Sequence, residues 1–256
     1  MTVLFSDITA IAASGAWAIF AVFLRTSAIV AMLPAFGEMT VPARVKIMLA
    51  LGFTLLVAPA APASLTPATP VDALHVIWSE ILIGLALGLS LRLFVIVLQT
   101  AGTIAAQSTS LAQVAGVTVE PVPAMSNLLV IAGLALAVTL GLHVKAVHFI
   151  VASYVLFPIG QLPDAAALSD WGVSRIAAAF RLAFSLAAPF AVAAFIYNLT
   201  LGVINRAMPQ LMVAFVGAPL TTFGGLFLLF LCAPFILTHW QTALDTLLGG
   251  SLGVRP

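Results

Sequence analysis

Glu80-Ile-Leu-Ile-Gly84-Leu-Ala-Leu-Gly88-Leu-Ser-Leu-Arg92-Leu-Phe-Val-Ile-Val-Leu-Gln99 is the stretch that decides the architecture. It is too long for a strand and too apolar all round for a helix on the surface of a soluble protein. No proline occurs from Val71 to Glu120, so a long helix is expected over about Ala73 to Gln99. Gly84 and Gly88 are spaced GxxxG, which lets helix backbones approach closely in a membrane. Glu80 and Arg92 lie twelve residues apart, roughly 18 Å along a helix, and cannot pair with each other on it.

Composition extends this reading to the whole chain. Of 256 residues, 63% are hydrophobic and 7% charged, and the net charge is +1. The mean hydropathy is +1.23. Nine Lys+Arg and eight Asp+Glu cannot cover a soluble globule of this size. These values exclude a water-soluble enzyme, a disordered chain and a nucleic-acid binder. The lone Cys232 forbids an intrachain disulfide and reads as a small packing residue. The N-terminus has no basic region and carries Asp7, so its apolar run is expected to be retained rather than cleaved as a signal.

Charges and prolines mark about six hydrophobic helical segments. The first is expected from about Ile8 to Leu33, with Arg25 inside it. A polar turn follows from Glu38 to Lys46, and a short second segment from about Ala43 to Ala58. At 1.5 Å per residue the second is only about 24 Å long, shorter than a hydrocarbon core of roughly 30 Å. Pro59, Pro62, Pro67 and Pro70 then predict an extended loop. After Gly102 the texture turns small and polar and predicts a loop up to Pro123. Further segments are expected over about Ala124 to Leu142, on towards Phe157, and then over Gly172 to Asn205 and Leu211 to Trp240. Pro189, Pro209, Pro219 and Pro234 are expected to kink or break the last of these, with Asp164 and Asp170 in water. Short and broken segments suit a subunit embedded among others, an all-α integral membrane protein whose residues 1–256 form a single membrane-embedded unit. Arg44 and Lys46 favour a cytoplasmic first turn only weakly.

No catalytic pattern emerges. HExxH, GxSxG and GxxxxGK[ST] are absent, and His143 and His148 are five apart, a spacing that does not place two ligands on one helix face. The chain calls for no cofactor and no metal. Charges within apolar segments are the functional candidates, because burial in hydrocarbon is costly: Arg25, Glu80, Arg92, Lys145, Arg181 and Arg206. Snorkelling or an ion pair between subunits is the plain alternative for the arginines. The uncharged stretch from Gln107 to Pro123 suits backbone at membrane depth that faces protein or a water-filled path, or else an ordinary external loop.

Several stretches resemble the FliR family, the export-gate subunit of bacterial flagella with counterparts in injectisomes. They are Pro34 with Pro42-Ala-Arg44-Val-Lys46, the Glu80 to Gly88 helix, Ala101-Gly102 and Gly141-Leu-His143. Ser153-Tyr154 with Phe157-Pro158-Ile-Gly160 adds to them, as does Asn198-Leu-Thr-Leu-Gly202-Val-Ile-Asn205-Arg206-Ala-Met-Pro209-Gln210-Leu followed by Gly217-Ala-Pro219.

The resemblance implies helix hairpins within a hetero-oligomeric gate in the bacterial inner membrane, at the flagellar basal body. FliP-like and FliQ-like subunits would complete it, with FlhB-like and FlhA-like proteins attached, and unfolded flagellar proteins would pass through. It implies a plug of the closed pore carried by Gln107, Ser108, Thr109, Ser110, Leu111, Gln113, Val114 and Gly116. The family's usual Gln-Met-Gly-Leu-Ser run is altered here to Gln107-Ser-Thr-Ser-Leu-Ala-Gln113. Glu80, Arg92, Arg206 and Gln210 are the candidates for subunit contacts or intramembrane charges. The alternatives are an ion-coupled small-solute transporter that titrates Glu80, and a structural membrane subunit with no conduit.

Overall fold

The computed structural model describes residues 2–61, 69–109, 124–207 and 213–249. Among them are seven α-helices and no strand: α1 Thr2–Met32, α2 Ala43–Val57, α3 Pro70–Thr109, α4 Ala124–Thr139, α5 Leu142–Leu156, α6 Ala165–Ala207 and α7 Val213–Gly249. Five are long and apolar enough to cross a membrane, and α4 with α5, bent by 74° at their break, makes a possible sixth. The chain is an all-α integral membrane protein. Gly141 takes φ 80° at that break, a conformation that favours glycine.

Several boundaries differ from expectation, two of them for reasons that the hydrogen bonds show. Helix α3 does not stop at Gly102 but runs to Thr109. Its hydroxyls bond back to the preceding turn, Thr103 Oγ1 to Gln99 O at 2.7 Å and Ser108 Oγ to Ile104 O at 2.6 Å. Polar side chains that satisfy themselves on the helix need no loop. Helix α6 starts at Ala165, before the expected Gly172, because Asp164 caps it: its Oδ2 accepts from the Ala167 N–H at 3.1 Å. Pro189 lies inside α6, and Pro219 and Pro234 inside α7, without ending either helix. Proline removes one backbone bond, and a long apolar helix held by the membrane continues through it. Pro59 likewise sits in a 3₁₀ turn, Ala58–Ala60, and Pro62 and Pro67 lie outside the described residues.

Two compact units divide the chain. The first comprises Met1–Leu93, Ala137–Ile176 and Ala243–Pro256. Within it α1 and the first part of α3 run in the same direction along a seam of small residues. A Cβ at Gly84 would lie 2.7 Å from the Arg25 carbonyl oxygen and 2.8 Å from Ala28 Cβ, and one at Gly88 2.9 Å from Met32 Cβ. The GxxxG spacing therefore serves this chain's own α1. Helix α2 packs on α1 and α5, and Lys46 Nζ donates to the Gly37 carbonyl at 3.0 Å, fastening the turn between α1 and α2. Helix α5 buries Leu142, Ala146, Phe149, Ile150, Ser153 and Tyr154.

The second unit comprises Phe94–Leu136 and Ala177–Thr242. Here the later part of α3 lies antiparallel to α4, with Gly102 against Ser126 and Leu98 against Gly133. Ser126 Oγ donates to Gln99 O at 3.0 Å, and Trp240 Nε1 on α7 donates to Phe94 O at 2.8 Å. Large apolar side chains stay exposed on α6 and α7, among them Phe184, Phe195, Phe230 and Phe235. Within the apolar Ala165–Ile204 stretch only Ala183, Leu186, Ala187 and Phe190 are buried, which leaves its surface to lipid or to other proteins.

Candidate functional site

The most concentrated polar chemistry lies inside the first unit, on helices that are otherwise apolar. Arg25 of α1 and Glu80 of α3 are both fully buried. Each had to be held by the other, since an isolated charge in a low-dielectric interior costs several kcal/mol. The guanidinium engages the carboxylate in a fork: Nε to Oε2 at 2.8 Å and Nη2 to Oε1 at 2.9 Å. The Gly84 seam one turn away brings the backbones close enough for this geometry.

Two further elements close the cluster. Arg25 Nη1 donates to Ser153 Oγ of α5 at 3.2 Å, and the guanidinium lies 3.9 Å from the centre of the Tyr154 ring. The buried Tyr154 hydroxyl has no hydrogen-bond partner among the described residues, and the residue contributes its ring face. The Gly160 N–H donates to Glu80 Oε1 at 3.1 Å from the turn between α5 and α6. That turn is closed by the Gln161 N–H bonding to the Pro158 carbonyl at 3.2 Å, with Gly160 at φ 75° in its third position. Such a turn requires a positive φ there, which glycine supplies.

Arg92 pairs with Glu38 of the turn between α1 and α2 at 2.6 Å, with side chains 25% and 20% exposed. Lys145 of α5 meets Asp245 of α7 at 2.7 Å. Glu80 and Arg92 thus each find a partner within the chain and not in each other, and Arg92 does not simply snorkel. Arg206 is exposed in the last turn of α6. Gln107 is exposed and Ser108 half-buried in the last turns of α3; with Thr109 they are helical rather than the loop expected. Ser110, Leu111, Gln113, Val114, Gly116 and Gln210 lie outside the described residues.

The chemistry available at the buried cluster is restraint. Both Glu80 oxygens are occupied by donors of the same chain, leaving no open face for a solute or ion, which weighs against the transporter alternative. The charge reading had found Arg25 and Glu80 but not Ser153, Tyr154 or Gly160. Their signal lay in the short stretches that carried the family resemblance, and these converge on the one cluster.

Comparison with known proteins agrees with the geometry of a multi-helix membrane chain. A family model described as bacterial export proteins, family 1, matches residues 16–247. The flagellar biosynthetic protein FliR of Caulobacter vibrioides is 36% identical over 227 residues, covering 86% of this chain and 89% of that protein. FliR of Escherichia coli is 31% identical over 222 residues, 83% of each chain. FliR of Bacillus subtilis is 28% identical over 221 residues, covering 82% of this chain and 84% of that protein.

Proposed function

The chain belongs to family 1 of the bacterial export proteins, among the FliR proteins, and from that membership we propose that it is a membrane subunit of the flagellar protein-export gate. The observation that carries the reading is the match to FliR of Caulobacter vibrioides across nearly the whole of both chains. The role is that of a multi-pass membrane component of the flagellar export apparatus, not of an enzyme.

The finer reading is that it lines a conduit together with FliP-like and FliQ-like subunits in the bacterial inner membrane, with FlhB-like and FlhA-like proteins attached and unfolded flagellar proteins passing through. The broad exposed apolar surfaces of α6 and α7 support a chain covered by neighbours as well as by lipid. The segment that follows α3 acts as the plug. No formal charge occurs from Thr100 to Val119, so this stretch can fill a lumen without holding ions there. The seal matters because each charge crossing the membrane is driven by about 2.3 kcal/mol per 100 mV.

The test is deletion of Ser110 to Thr118 in the assembled complex, followed by conductance in planar bilayers. The reading expects a leak to small ions from the deleted form and a closed intact form. Equal conductance of the two would remove the plug from the account while leaving the family untouched.

A further inference from the structure

The Arg25–Glu80 pair carries more than mutual neutralisation. A symmetric ion pair between two helices works equally well with its partners exchanged. This pair is not symmetric, because each partner has a second commitment and only one of the two has a fixed hydrogen-bonding sense. Arg25 donates to Ser153 Oγ at 3.2 Å, and Glu80 accepts from the Gly160 N–H at 3.1 Å. A hydroxyl can reverse its role and a backbone N–H cannot. Glu80 is therefore the only member of the pair able to hold the turn, and an arginine at position 80 would face Gly160 donor to donor.

We infer that Glu80 is a positioning residue, an acceptor that fixes the Phe157–Pro163 turn through Gly160 and thereby sets where α6 begins. The path is short. Four residues after Gly160, Asp164 caps α6 through the Ala167 N–H, and its carbonyl accepts from Leu168 N at 2.9 Å. Fixing Gly160 therefore fixes the first turn of a 43-residue helix. The φ of 75° at Gly160 aims its N–H, and the buried guanidinium holds the Glu80 carboxylate in place to receive it.

The experiment is amide hydrogen exchange of the purified full-length protein in detergent, read from overlapping peptides covering residues 157–163, with α1 peptides as the control for packing of the bundle. Three double variants separate charge from acceptor. Arg25→Gln with Glu80→Gln keeps an acceptor at position 80 without charge. Arg25→Leu with Glu80→Leu removes both charge and acceptor, a replacement that buried ion pairs tolerate without loss of fold. Arg25→Glu with Glu80→Arg keeps the charges and reverses the acceptor.

The inference expects Gly160 exchange in the glutamine pair to stay within about threefold of the native rate, and in the leucine and exchanged pairs to rise about tenfold or more. Native-like protection in the exchanged pair would overturn it. So would a glutamine pair that exchanges as fast as the leucine pair. If the exchanged pair also loses protection in α1, the glutamine and leucine pairs decide the matter by themselves.

Discussion

Substituting Gly84 by alanine tests the seam on which the first unit depends. The added methyl would meet the Arg25 carbonyl oxygen at 2.7 Å and Ala28 Cβ at 2.8 Å, both part of or next to the α1 backbone. Ordinary carbon contacts lie at about 3.5–4.0 Å, so α1 and α3 would have to separate by roughly 0.7–1 Å. No flexible side chain stands in the way that could turn aside. Separation on that scale also stretches the two Arg25–Glu80 bonds of 2.8 and 2.9 Å one turn away. Overpacking of this kind costs about 1–3 kcal/mol. The better helix propensity of alanine returns up to about 1 kcal/mol. With the full return the net loss is up to about 2 kcal/mol, a factor of up to roughly thirty in the folded-to-unfolded ratio, and the loss relative to an alanine that meets nothing is about 1–3 kcal/mol. Gly52 in α2 is the control, since a Cβ there would meet nothing within 4 Å. Gly52→Ala should be neutral or stabilise by up to about 1 kcal/mol. The assay is an SDS titration of the purified protein in mixed micelles, followed by far-ultraviolet circular dichroism. Gly84→Ala as stable as Gly52→Ala would refute the close seam.

Other perturbations have graded expectations. Trp240→Phe removes the 2.8 Å bond to Phe94 O while keeping most of the ring, and should cost about 1 kcal/mol in the same titration. Arg92→Gln breaks a pair whose side chains are 25% and 20% exposed, so its effect should stay near or below about 1 kcal/mol and shrink in high salt. Glu80→Leu alone strands Arg25 fully buried and should cost about 3–5 kcal/mol, visible as loss of protein from the membrane fraction. Arg206→Ala should leave the chain folded but lower its recovery in the assembled complex, measured by co-purification; unchanged recovery would identify Arg206 as a snorkelling residue.

Much of the fold was legible because the bilayer restricts what a chain can do. Apolar runs between charges located the helices, and the short α2 ends at Val57 close to where the proline series placed it. The GxxxG spacing announced a close approach, and the separation of Glu80 and Arg92 excluded their pairing. The partners were not legible. Glu80 stands 55 residues and Ser153 128 residues after Arg25, and no local pattern encodes such contacts. Small polar residues after Gly102 suggested a loop because serine and threonine disrupt helices in water. In an apolar setting their hydroxyls bond back to the helix, as Thr103 and Ser108 do, and α3 continues. For a related reason Pro189, Pro219 and Pro234 do not break α6 or α7, while Pro209 lies outside the described residues. A missing N–H ends a marginal helix in water but not one whose neighbouring turns have nowhere else to form hydrogen bonds. The turn at Gly160 was visible as Pro-Ile-Gly, but its function depends on a carboxylate 80 residues earlier in the chain.

The central claim is that this chain is a gate subunit completed by others. The measurement that tests it most directly is co-expression with the FliP-like and FliQ-like proteins of the same genome, purification through a tag on this chain, and native mass spectrometry. The account predicts one discrete hetero-oligomer that contains a single copy of this chain and several copies of the other two. A monodisperse chain recovered without either partner would contradict it.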